Sequence, residues 1–94
     1  MPTMDKLSTY RTTIAARGDD IAVTYVSTDI VRFNASRVVL NSGGYETVTT
    51  KRKMNQAARQ FGLGYSVFQK AHVWYVAHKG QTLPFVDGME LARG

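Results

Sequence analysis

The sequence predicts an α+β domain in which one amphipathic helix packs on a small, mainly antiparallel sheet, and three observations carry that expectation. "IAVTYVSTDIVRF" (21–33) is dense in β-branched and aromatic residues, which suit a pleated, half-buried surface. In "TTKRKMNQAARQFGLG" the period changes: Met54, Ala57, Ala58 and Phe61 fall at i, i+3, i+4 and i+7, one stripe of a helix. "YSVFQK" and "VWYVAH" then return to strand composition.

In chain order, residues 4–17 set Leu7, Tyr10 and Ile14 on one side with Gly18 as a stop, which reads as a short helix or arm built from weak helix formers. The 21–33 strand is expected to break or bulge near Ser27–Asp29. "NAS" turns into the strand "RVVLN", and "SGG" (42–44) turns into "YETVT", because adjacent glycines accept the positive φ of tight hairpins. These segments form a three-stranded antiparallel meander. The helix is expected to be capped by Thr49 or Thr50 and stopped by Gly62. Two strands follow, joined at Ala71 and His72, and "QTLPF" makes a third after the Lys79-Gly80 turn, with Pro84 suited to a sheet edge. With that joint Phe68 faces Tyr75 beside Lys70, while Tyr65, Val67, Trp74 and Val76 share the opposite, heavier face, the better candidate for the core. No linker or repeat divides the chain, so residues 1–94 read as one domain: an arm or short helix over 1–20 and an α+β core over 21–94.

Composition narrows function. The chain has no cysteine, so disulfides and thiolate metal sites are excluded, and the two histidines show no zinc-ligand spacing; neither a metal nor a cofactor is expected. No apolar run approaches the roughly eighteen residues of a membrane span, and the expectation is a protein neither exported nor inserted. The net charge of +5 is unevenly placed. Residues 1–46 hold five basic and five acidic side chains, whereas no acid occurs from Thr47 to Val86, where Lys51, Arg52, Lys53, Arg59, Lys70 and Lys79 all fall. That asymmetry favours an anionic partner: a nucleotide-type small molecule, nucleic acid or an acidic protein surface.

The sharpest candidate site is "SGGYETVTTKRKMN" (42–55). Three basic residues at a helix start oppose the macrodipole, a conflict relieved if an anion sits there. Thr49, Thr50, Lys51, Arg52 and Lys53 are therefore expected to bind phosphate, with Gly43 and Gly44 as a backbone nest and with Tyr45, Phe68 and Tyr75 stacking a base. A plain solvated basic face, with the threonines acting only as caps, accounts for the same residues. Catalysis has thin support: His72 and His78 are raw material for a metal-independent ribonuclease, but nothing ties either to Glu46, and no catalytic residue is assigned.

The same stretch, with "FGLGYSVFQK", "VWYV" and "PFVDGMEL", resembles a family of small tailed-bacteriophage proteins that carry a Gly-Gly-aromatic element followed by Thr-Val-Thr-Thr-Lys, a basic residue and Met/Ile-Asn. The likeness covers about residues 28–89 and puts Tyr45 where tryptophan is often found. It implies a phage accessory protein in the cytoplasm of the infected bacterial host, of a kind that acts in host takeover or against bacterial defence. The expectation that joins both lines is a non-enzymatic, homo-oligomeric protein that sequesters a nucleotide immune signal, with Phe85 and Arg93 reaching in from a neighbouring subunit. Two alternatives stand beside it: a sequence-tolerant nucleic-acid binder, and an inhibitor that binds an acidic host protein surface.

Overall fold

The computed structural model describes residues 12–44 and 46–93, and its elements are β1 (Thr12–Arg17), β2 (Asp20–Tyr25), β3 (Thr28–Phe33), β4 (Arg37–Leu40), α1 (Val48–Phe61), β5 (Tyr65–Lys70), β6 (Val73–His78), β7 (Gln81–Pro84) and β8 (Met89–Ala92). They build two antiparallel sheets, one of five strands in the order β1-β2-β3-β4-β8 and one of three in the order β5-β6-β7. The α+β class, with one amphipathic helix packed on antiparallel sheet, is what the periodicity predicts.

Three local expectations are corrected. Residues 12–17 form strand β1 and not the end of a short helix; Thr12, Thr13 and Ile14 are β-branched, and the segment pairs with β2 along its whole length. Residues 4–11 of that expected helix lie outside the described residues. The 21–33 run is a hairpin instead of one broken strand: Tyr25 pairs with Thr28 across the two-residue Val26-Ser27 turn, and the irregularity falls at Val23/Thr24. Val26 takes a φ of 60°, a conformation costly for a β-branched residue and for which composition gives no warning. "YETVT" is not a third strand: Thr47 caps α1, which begins at Val48, and β4 pairs instead with β8.

The core lies between the two sheets and the helix. Val23, Ile30, Val31, Phe33, Val38 and Leu40 come from the large sheet, Met54, Ala57 and Ala58 from α1, and Tyr65, Val67, Trp74 and Val76 from the small one. The expected face assignment of the β5–β6 hairpin holds, since Trp74 and Val76 are buried while Phe68 and Tyr75 are half-buried on the other side. On the large sheet, buried Asp20 draws together Arg32, Arg37 and Asn34 at 3.1, 3.4 and 2.9 Å.

Candidate functional site

The start of α1 is organised by hydroxyls. Thr47 Oγ1 accepts the Thr50 N–H at 3.2 Å and lies 3.0 Å from Thr50 Oγ1, so Thr47 is the N-cap in place of the expected Thr49 or Thr50. Thr50 is itself buried behind it. Because the helix begins at Val48, Lys51 closes its first turn and Arg52 and Lys53 fall in the second, where the dipole is already weaker. Their conflict with it is correspondingly smaller than the sequence implies.

Nor do the five proposed phosphate ligands point one way. Successive helical residues are rotated by about 100°, so Thr49 and Arg52 are exposed and Lys51 is half-buried, whereas Thr50 and Lys53, three apart, both turn inward. Lys53 is only 2% exposed, with its Nζ 5.3 Å from the centroid of the Tyr25 ring. Burial lowers its pKa below the ordinary lysine value.

Beside this helix start lies a cavity of about 300 Å³ lined by Tyr25, Val26, Ser27, Thr28, Ile30, Ser42, Thr47 and Thr50. Six of these eight residues carry a hydroxyl, and Ile30, Val26 and the Tyr25 ring supply apolar wall. Ser42 is fixed by Asp87, whose Oδ1 accepts its N–H at 2.8 Å and its hydroxyl at 2.7 Å. Sequence reasoning identified Thr50 but missed Tyr25, Ser27, Thr28, Ser42 and Thr47. The available signal was the concentration of hydroxyls in "TYVST", "NS" and "TVTT", which only the topology brings together.

The remaining candidates are placed elsewhere. Gly43 and Gly44 adopt φ of 65° and 84°, but their N–H groups already donate to Asn41 Oδ1 at 2.7 Å and Ser42 Oγ at 3.2 Å, so the turn satisfies its own donors. Tyr45 lies outside the described residues. Phe68 and Tyr75 stack on each other, with ring centroids 5.7 Å apart, and border a separate cavity with Lys70, Ala71 and Thr82. That cavity shares no lining residue with the one at the helix start. Among the described residues no three His, Cys, Asp or Glu side chains gather as metal ligands, and no helix is long and apolar enough to cross a membrane.

The family model described as Kyanoviridae Gp96 protein aligns with residues 2–92, nearly the whole chain. The chain belongs to that phage protein family. No curated protein and no solved structure matches it. Membership in the Kyanoviridae Gp96 family thus fixes a phage protein, as the resemblance to phage proteins implies, while the chemistry of the site has to be argued from its geometry.

Proposed function

We propose that this member of the Kyanoviridae Gp96 family is a non-enzymatic accessory protein that binds a phosphate-bearing small molecule at the start of α1, and that it acts by sequestering a nucleotide signal of the host's defence. One observation carries the reading: the cavity of about 300 Å³ joins six hydroxyl-bearing side chains to a helix N-terminus, and Lys53 lies against the Tyr25 ring that forms part of its wall. Phosphate oxygens accept from hydroxyls and first-turn N–H groups, and a low-polarity setting strengthens each such bond. Lys53 supplies fixed charge from the protein side, while Lys51 and Arg52 add longer-range attraction. The volume is at the small end of the range for ligand sites, roughly 300–1,000 Å³, and suits one nucleotide-sized group.

The test is mass spectrometry of small molecules retained by the native protein, followed by calorimetric titration with mono-, di- and cyclic nucleotides. Thr50→Val and Lys53→Met are expected to weaken binding by tenfold or more, with folding followed by circular dichroism. If no nucleotide is retained or titrates, or if both variants bind as the parent does, the reading is wrong.

A second reading is favoured by the separation of the two cavities. Because Phe68 and Tyr75 share no lining residue with the helix-start cavity, a ligand that used both would be extended, as single-stranded nucleic acid is. Gel shifts with single-stranded DNA and RNA that weaken steeply with salt and depend on Phe68 and Tyr75 would support it over the small-molecule site.

A further inference from the structure

We propose that a second oxyanion site, specific for a phosphomonoester, lies at the other end of α1 and is formed by His78, Lys79 and Arg93. These three residues line one cavity of about 400 Å³ together with Gly62, Leu63 and Gly64, and among the described residues no carboxylate lines it. The contrast with the large sheet is direct. Arg17, Arg32 and Arg37 each have a carboxylate oxygen within 3.5 Å: Asp29, Asp20, and Asp20 with Glu90, respectively. Among the described residues, Arg93 is held instead by neutral partners. Its Nη1 donates to the Asn34 carbonyl at 2.8 Å, its guanidinium carbon lies 6.0 Å from the centroid of the Phe33 ring, and its backbone N–H donates to Ser36 at 2.8 Å. The guanidinium is thus oriented, and the carbonyl that holds it brings no compensating charge.

The surrounding backbone makes room for a ligand. Gly62 and Gly64 take φ of 63° and 77°, and a Cβ built at either would meet nothing within 4 Å. Lys79 is an exposed residue of the β6–β7 turn, adjoining half-buried His78 at the end of β6. The helix itself does not attract an anion here, because Gly62 marks the C-terminal, negative end of α1. Attraction must therefore come from the side chains. Arg93 and Lys79 supply two positive charges and His78 a ring N–H, which match the roughly −1.5 to −2 of a phosphomonoester better than the single charge of a carboxylate. The cavity is larger than a bare ion needs, and Leu63 gives the organic part of the ligand an apolar surface. Fourteen helical residues rise about 21 Å, so this site and the one at the start of α1 stand or fall separately.

The test is titration of the full chain with phenyl phosphate, and with benzoate as the carboxylate counterpart, followed by proton–nitrogen NMR at low ionic strength. Phenyl phosphate is expected to shift the Arg93 Nε–H and the Lys79 and Gly80 amide signals saturably. Lys79→Gln and Arg93→Gln are each expected to weaken binding at least tenfold, while Arg17→Gln, which removes a charge paired with Asp29 at the opposite edge of the large sheet, leaves it unchanged. Lys79 is exposed in a turn, so its variant tests the site even if Arg93→Gln disturbs the fold through Asn34. Shifts that do not saturate or that centre elsewhere, an unaltered affinity in Lys79→Gln, or benzoate binding as tightly as phenyl phosphate, would each overturn the proposal.

Discussion

At the scale of single residues, Lys53 and Gly43 carry the sharpest consequences. Burial lowers the pKa of Lys53, so over the interval between its folded value and the unfolded one near 10.4, the unfolded chain holds more protons and stability rises with pH. Tyr65 acts in the opposite sense: its burial raises the phenol pKa, the unfolded chain ionises first, and stability falls above about pH 10. Urea melts from pH 7 to 11 should therefore show stability climbing toward pH 10 and then declining. Lys53→Met is expected to remove the climb and keep the decline; a climb that survives the substitution assigns it to another group. Gly43 is constrained differently. A Cβ there would collide with Thr28 Oγ1 and lie 2.8 Å from Thr28 Cγ2, in addition to the strain of a φ of 65°, whereas a Cβ at Gly44 meets open space. Gly43→Ala should cost about 2–4 kcal/mol and Gly44→Ala about 1 kcal/mol. Thr28→Ala should recover part of the former in a double-mutant cycle, whereas additive effects would show that the collision is not the cause.

Among the elements, α1 does more than cover a face. Asn55 on its second turn accepts the Val67 N–H at 2.7 Å and donates to the Val67 carbonyl at 2.8 Å, so one side chain satisfies the backbone of β5 as a neighbouring strand would. Tyr65 completes the attachment by donating its hydroxyl to the Met54 carbonyl at 2.7 Å. Asn55→Ala is expected to cost about 2–3 kcal/mol, because both Val67 groups lose their partner, and to open an edge prone to pairing. Thermal melts and light scattering at increasing concentration check both parts; an unchanged midpoint would mean that water replaces the amide without penalty. The stripe of Met54, Ala57, Ala58 and Phe61 made α1 legible from its period alone, but nothing local marks Asn55 as a strand substitute, because its partner is twelve residues away. The same physics explains the other differences. "TVTT" offers three equivalent threonines as caps, so packing decided for Thr47. "MELA" has no β-branched residue and becomes β8 only because β4 offers a free edge. Val26-Ser27 lacks the glycine or asparagine that announces a hairpin. The hydroxyl cavity combines these unannounced places, the β2–β3 turn, the end of β4 and the true cap, and so just one of its lining residues, Thr50, stands out in the sequence as a candidate.

For the whole molecule, the question is whether two sheets that share no backbone ladder unfold as one. Their cohesion is side-chain packing. Phe33 of β3 meets Phe61 of α1 at 4.9 Å between centroids, and Trp74 of β6 meets Phe85, which precedes β8, at 5.3 Å. Residues of both sheets, the helix and Leu91 of β8 then form one continuous buried cluster. A three-stranded sheet with one apolar face is at the lower limit of independent stability, and this one has its apolar face in the shared core. Its strands should therefore not outlast the five-stranded sheet, nor should that sheet keep its core face covered after the small one departs. Trp74 is the sole tryptophan, is only 4% exposed, and reports on the small sheet alone, whereas far-ultraviolet circular dichroism averages over all the strands and the helix. Urea unfolding followed by Trp74 emission and by circular dichroism is expected to give coincident transitions with one midpoint and one slope. A red shift of Trp74 emission that precedes the loss of ellipticity would show instead that the β5-β6-β7 sheet detaches first. In that case the Trp74–Phe85 and Phe33–Phe61 contacts would couple the two sheets too weakly for one cooperative transition.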